Sequence, residues 1–423
     1  MPFVFNKYSG LLLIFFVHGL VYALLLFGKG IKNDTVHDKW LAFFLLLCIF
    51  FICPWMLGFA GWYDGYTCLS CRNFLFYMPF QQSLLMGPVI YCYVQGRLNP
   101  NFQFTKMHWL HFIPGIIYNS WILIVVIVDR LILKRYYLMD GKNDPDFNNW
   151  YVALGLVSLL VYLYLSFKYY QHYKTIIYQE LSFADDVTFK WIRNFLIAFF
   201  IYFFSSLIVG LLDFFDVDIK YTDSWWYYLL FAIIFYYIAI TGYSNSIVTK
   251  AQYRLAFLQQ QLPPLLPNIN QDSAIIEAIS FEDITENQPV GKTKNKKNSE
   301  AMDEWKAKVL QAVVTEKLYQ NPELTLTDLS KHLVTNPSLL SKIINQGFAM
   351  NFNDFINWYR VEEIKQQLED GANANRTIMS LAYDAGFNSK ATFNRAFKKA
   401  TGKNPKEFLP VASNKVSTPM NMK

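Results

Sequence analysis

Residues 377–402 read TIMSLAYDAGFNSKATFNRAFKKATG, and this stretch decides how the C-terminal part of the chain folds. Ile378, Leu381 and Ala382 recur at helical spacing behind Thr377, whose hydroxyl suits a helix start. Gly386 marks the turn, where a left-handed residue is easiest for glycine. Asn388-Ser389 then caps a second helix, with Phe393, Ala396 and Phe397 facing inward. Its other face is expected to expose Lys390, Thr392, Asn394, Arg395, Lys398 and Lys399. Gly402 ends the helix and Pro405 follows. Two short helices, a tight turn and a polar, basic outer face make a helix-turn-helix layout.

The pattern also occurs about 53 residues earlier. Thr325 (or Thr327) starts TLTDLSKHL, with Asp328 three residues after Thr325 as in a capping box. Leu326, Leu329 and Leu333 form its apolar stripe. Thr335-Asn336-Pro337 makes a short turn with a cap and a first-turn proline. The next helix buries Leu340, Ile343 and Ile344 and exposes Ser338, Ser341, Lys342 and Asn345. Trp305, Val309, Val313 and Leu318 precede it on one apolar face. Between the repeats, Phe352, Phe355, Ile356, Tyr359, Ile364 and Leu368 give residues 352–370 helical periodicity. A helix of that length spans roughly 28 Å. Successive major-groove faces on one side of DNA are about 34 Å apart, so the linking helix holds two heads near groove spacing.

These residues are similar to the C-terminal DNA-binding domain of AraC/XylS-type transcriptional regulators. The resemblance covers residues 302–410. Ile378, Leu381-Ala382, Ala385-Gly386-Phe387, Phe393, Arg395, Phe397-Lys398-Lys399, Gly402, Pro405 and Phe408 carry it in the second repeat. Leu326, Leu329, Pro337, Leu340, Phe352, Phe355, Arg360 and Leu368 carry it in the first. The chain departs from the family pattern at Ile344, where an aromatic is usual, and at Ala349, where glycine is usual. The resemblance implies base-reading positions at Ser338, Ser341 and Lys342 in the first head. In the second head it implies Lys390, Thr392, Asn394 and Arg395. Asn345, Ser389, Lys398 and Lys399 complete the expected DNA-contacting set. Arginine and asparagine can read base edges, whereas lysine pairs mostly with phosphate.

The composition changes abruptly along the chain. The chain of 423 residues is 53% hydrophobic and 17% charged, against roughly a quarter charged in soluble domains. The formal net charge is +6. Residues 291–423 hold 20 Lys/Arg and 13 Asp/Glu, a net of +7; residues 1–290 hold 18 and 19, a net of −1. Dominant disorder is excluded by the hydrophobicity, and five cysteines are too few for a disulfide scaffold of this size.

Seven apolar stretches without Asp, Glu, Lys or Arg run near 9–28, 40–60, 74–95, 109–128, 150–167, 194–212 and 225–244. A bilayer core needs about 20 apolar residues in a helix. The expected fold is therefore all-α: a polytopic bundle of about seven membrane spans, joined to two helix-turn-helix subdomains and their linking helix. Trp40, Trp62, Trp109, Trp150, Trp191, Trp225 and Trp226 lie at expected span ends, where indoles favour the headgroup layer. Pro54, Pro79, Pro88 and Pro114 fall inside spans and should kink them. With the N-terminus outside, the inner side carries 11 basic residues and the outer side 7, although loop 129–149 with four opposes the bias. Since DNA is cytoplasmic, the expected location is a bacterial inner membrane with the C-terminal domain inside.

Polar residues in the spans are few. His18, Gln81 and Gln82 are the first candidates for a ligand pocket between helices, the alternative being plain interhelical hydrogen bonding. No His-x-x-x-His, Glu-x-x-His or paired carboxylate occurs in a span, so no catalytic residue, metal or cofactor is expected. Cys68-x-x-Cys71 is open to a disulfide, free thiols, or a metal or redox pair.

The expected domains are a membrane domain over 1–246, a juxtamembrane helix and polar linker over 247–300, the DNA-binding domain over 301–410 and a tail over 411–423. Residues 245–262 form a neck that could pair in a homodimer or lie on the surface. The expected function is a membrane-anchored, sequence-specific DNA-binding transcription regulator and not an enzyme. Its partners are double-stranded DNA, membrane lipid and an unknown small-molecule or membrane signal. The competing expectation is a transporter or sensor with a regulatory DNA-binding tail.

Overall fold

The computed structural model describes residues 3–64, 68–99, 102–139, 141, 144–187, 190–214, 222–247, 293–370 and 376–408. The chain divides into two compact units: Met1–Tyr173 with Phe189–Gln261, and Lys174–Thr188 with Leu262–Lys423. Among the described residues there is no strand, only an isolated antiparallel bridge between Leu181 and Thr325.

The first unit is built from α1 (Lys7–Lys32), α2 (Val36–Phe59), α3 (Leu69–Tyr77), α4 (Ser83–Leu98), α5 (Lys106–Val126), most of α6 (Asn149–Glu180), α8 (Lys190–Phe214) and α9 (Trp225–Ile247). The short α7 (Ala184–Val187) lies between α6 and α8. Asn6 starts α1 by accepting the Tyr8 and Ser9 amides, while the Ser9 hydroxyl accepts the Asn6 amide. Among the described residues, six helices are long and apolar enough to cross a membrane. They carry large apolar side chains on their outer faces, among them Leu24, Ile117, Leu123, Val157, Phe200 and Phe204. α2 packs against α1, α4 and α9 and contributes Leu41, Phe44, Leu45, Cys48 and Ile52 to the interior.

The third apolar run does not form the continuous span expected of it. It breaks between α3 and α4 at residues 78–82. Pro79 has no N–H to give a helix, and side chains satisfy the freed backbone instead. The Gln81 amide donates to Asp146 Oδ2 at 2.8 Å, the Tyr151 hydroxyl donates to the Gln81 carbonyl, and Gln82 Nε2 donates to the Pro79 carbonyl at 2.6 Å. Pro54, Pro88 and Pro114 lie within helices. Cys68 and Cys71 form a disulfide.

The second unit contains α10 (Thr293–Leu310), α11 (Leu326–His332), α12 (Pro337–Gly347), α13 (Phe352–Glu369), α14 (Ile378–Asp384), α15 (Lys390–Thr401) and the short α16 (Pro405–Phe408). α10 starts at Thr293, inside the stretch expected as a polar linker. The neck beyond residue 247 and the tail from 409 lie outside the described residues. Two apolar cores share α13. Its N-terminal Phe352, Phe355 and Ile356 join Val309, Val313, Leu329, Leu340 and Ile343. Its C-terminal Val361, Ile364 and Leu368 join Leu381, Phe387, Phe393 and Phe397. Arg360 is 1% exposed at the junction of the two.

Candidate nucleic-acid interface

Both helix pairs are set by local capping. Thr325 Oγ1 accepts the Asp328 amide at 3.0 Å and donates to Asp328 Oδ2 at 2.7 Å. Asn336 Oδ1 accepts the Leu339 amide at 2.7 Å, with Pro337 in the first turn of α12. Between α11 and α12, Val334 has a φ of +52°, and the Thr335 amide returns to the Ser330 carbonyl at 2.9 Å. In the second pair, Thr377 Oγ1 accepts the Ser380 amide at 3.1 Å and Ser389 Oγ accepts the Thr392 amide at 3.2 Å. Gly402 closes α15 at a φ of +74°, its amide donating to the Lys398 carbonyl.

Gly386 ties the second turn to the first subdomain. Its φ is +96°, and a Cβ there would meet the carbonyl oxygens of Tyr319 and Gln320 at 2.7 Å. Backbone meets backbone at this point, so any side chain forces the subdomains apart. Nearby, the Tyr319 hydroxyl donates to Glu363 at 3.0 Å. Burial and that carboxylate push the Tyr319 phenol up to about 12, so it donates throughout the neutral range. Burial alone would raise the Glu363 carboxyl, but hydrogen bonds from Gln367 and Tyr319 and the charge of Lys317 hold it below its usual value.

On α12, Ser338, Lys342 and Asn345 are exposed. Ser341 is half-buried and accepts from Asn345 Nδ2 at 3.3 Å. On α15, Lys390, Arg395, Lys398 and Lys399 are exposed and Asn394 is half-buried. Thr392 was expected on the outer face but is 2% exposed. Its hydroxyl is engaged with Ser389 Oγ at 3.0 Å inside the cap, because the third position of a capped helix turns back toward the cap. Ser389 is half-buried in the same cap. Lys399 pairs with Asp354 at 2.6 Å.

The sequence did not reveal the part played by residues 174–188. Leu181, Ser182, Phe183 and Ala184 are buried. The Ser182 amide donates to the Leu324 carbonyl at 3.2 Å. Its carbonyl accepts from Asn353 Nδ2 at 2.9 Å, from Asn357 Nδ2 at 3.1 Å and from Arg360 Nη1 at 3.5 Å. Arg360 also donates to Ser182 Oγ at 3.1 Å and to the carbonyls of Tyr319 and Asn321, each at 2.7 Å. The Glu180 carboxylate accepts the Thr327 amide at 3.1 Å and the Thr327 hydroxyl. Asp185 forms an ion pair with Arg395 and accepts from the Tyr178 hydroxyl, and the Arg395 guanidinium lies 5.7 Å from the Tyr178 ring centroid. Sequence spacing holds no trace of these contacts.

The residues expected to line a ligand pocket have different partners. His18 is exposed on α1 and stacks on Tyr236 of α9 at 5.5 Å. Gln81 and Gln82 are buried at the break between α3 and α4. Gln82 and Asn119 exchange a reciprocal amide pair at 3.0 and 2.9 Å, the interhelical hydrogen bonding that was the plainer alternative.

Two capped helix pairs on one shared helix, each presenting a polar and basic second helix, define a double helix-turn-helix module. Residues 329–410 match the family model described as a helix-turn-helix domain, so the C-terminal part of the chain carries an AraC-type helix-turn-helix region. Over 91 residues the chain is 33% identical to uncharacterized HTH-type transcriptional regulators of Staphylococcus aureus strains COL and MSSA476. The match covers 22% of this chain and only 12% of those relatives. A solved structure of a protein of unknown function from Listeria innocua is 25% identical, over 24% of this chain and 90% of that one, with a TM-score of 0.21.

Proposed function

We propose that the chain is a membrane-anchored, sequence-specific DNA-binding transcription regulator. The observation that carries the reading is the pair of capped helix-turn-helix units on α13, each with a polar outer helix. Ser338, Lys342 and Asn345 of α12, with Ser341 beside them, form the first reading head. Lys390, Asn394 and Arg395 form the second, with Lys398 and Lys399 on phosphate; Thr392 and Ser389 serve the cap. Arg395 is the longest donor on α15 and the best suited to a guanine edge.

Membrane embedding is supported by six long apolar helices whose outer faces carry large apolar side chains, because faces of that size are unfavourable in water. Counting the broken α3–α4 run as a crossing places the termini on opposite sides. The α2–α3 loop then lies outside, where its Cys68–Cys71 disulfide persists. Residues 174–188 share a unit with the C-terminal domain. Two apolar helices, α8 and α9, separate them in sequence, and an even number of crossings returns the chain to the same side. A lipid-phase or small-molecule signal reaches the reader only if it binds two states of the bundle differently, and the neck is the route by which two copies would pair.

The test is DNA binding by the full chain in lipid nanodiscs. Sites selected from genomic fragments should be bound with a steep, log-linear loss of affinity in salt. Arg395→Ala should weaken binding to a selected site by about 1–3 kcal/mol and relax preference in one half of it. Equal affinity for selected and random duplexes would remove the claim of specificity.

A further inference from the structure

We propose that residues 180–185, the segment joining α6 to α8, are an internal competitor of DNA that docks on the helix-turn-helix module and holds Arg395. This rests on the reading of that module as a DNA reader. The dock is an interaction surface with its occupant in place. Asn353, Asn357 and Arg360 line one face of α13 and converge on a single carbonyl, that of Ser182. The Ser182 amide and the Leu181–Thr325 bridge hold the other edge of the segment against residues 324–325. Main-chain recognition of this kind is indifferent to most of the side chains of its guest.

One carboxylate fastens the dock and a second makes it antagonistic to DNA. Glu180 occupies the amide and hydroxyl of Thr327, in the first turn of α11. Asp185 pairs with Arg395 on the outer face of α15, with Tyr178 bracing both. Asp185 is 8% exposed, so its charge is held at the face that must meet a polyanion. A guanidinium cannot fork onto this carboxylate and a guanine edge at once. Because the segment is covalently continuous with α6 and α8, any state of the bundle that withdraws it frees the reader. The apparent DNA affinity of the docked chain is lowered by the fraction of molecules that remain docked.

The experiment uses the full chain in nanodiscs and a fluorescent pool of random-sequence duplex DNA. Asp185→Asn keeps the side chain's size and removes the ion pair; it should bind about tenfold more tightly than the wild type, within the usual range of coupling between sites. Asp370→Asn makes the same change of charge at the exposed end of α13 and should leave affinity unchanged. Hydrogen exchange gives a second readout without substitution: the Ser182 amide of the wild type should lose protection when DNA is added. Unchanged affinity of Asp185→Asn, an equal gain in Asp370→Asn, or a Ser182 amide still protected in the DNA complex overturns the competitor. Failure of every form to bind DNA overturns the DNA-reader reading itself, so the two failures are told apart.

Discussion

Arg360 is buried at the centre of the second unit and donates to three backbone carbonyls, those of Tyr319, Asn321 and Ser182. Its guanidinium also lies 5.7 Å from the Phe387 ring centroid. One side chain thus touches both cores and the docked segment. Truncating it removes charge-assisted hydrogen bonds to all three carbonyls and leaves a void in a packed interior, so Arg360→Ala should cost about 3–5 kcal/mol in denaturant unfolding of the C-terminal unit. Arg360→Lys should not restore it, since an ammonium cannot span the fork. Ala349 poses the opposite case. It sits at a φ of +54° between α12 and α13, a conformation that costs a residue with a Cβ about 1–2 kcal/mol. Ala349→Gly should therefore stabilise the unit by about 1 kcal/mol, read as slower exchange of the buried α12 and α13 amides. The family resemblance implies glycine at this position, and the positive φ supplies the reason. Thr392 was misread because helical periodicity separates faces but does not say when a hydroxyl turns back into its own cap.

At the scale of elements, caps and apolar stripes were legible in the sequence. Thr325, Asn336, Thr377 and Ser389 each accept an amide at the helix start assigned to that part of the chain. The break at residues 78–82 was not legible, although Pro79 was visible. An apolar run with one proline reads equally as kinked or broken until a partner for its freed backbone is known. That partner is Asp146, in the loop between α5 and α6, which accepts from the Gln81 amide at 2.8 Å and the Tyr118 hydroxyl at 2.5 Å. Beside it, burial and the Asp146 charge raise Asp144 to about 7, even though the Asp146 amide and the Tyr63 hydroxyl donate to it. Unfolded, the same carboxyl titrates near 3.8. The folded form therefore binds the extra proton between those values, and stability falls as pH rises through that window. Burial raises the Asp146 carboxyl too, so thermal unfolding in detergent from about pH 5 to 8 should show this slope and Asp144→Asn should reduce it.

At the scale of the whole molecule, the charge split anticipated two parts of opposite character, one apolar and one basic. The structure draws their border differently: Lys174–Thr188 joins the C-terminal unit although it lies between two long apolar helices in the chain. By itself, the sequence determined everything that rests on period and composition: the apolar helices, the two capped helix pairs, their linking helix and the basic outer faces. Those features arise from interactions between residues a few positions apart, so spacing records them. Only the tertiary structure decided that Gly386 abuts the backbone at 319–320, that α13 divides its faces between two cores, and that Ser182 and Asp185 meet Arg360 and Arg395. These are contacts between segments as much as 210 residues apart, made by groups whose neighbours in sequence do not announce a partner. Burial, which only the folded chain creates, turns them into specific partners, because a polar group removed from water must find a counterpart wherever the fold brings one.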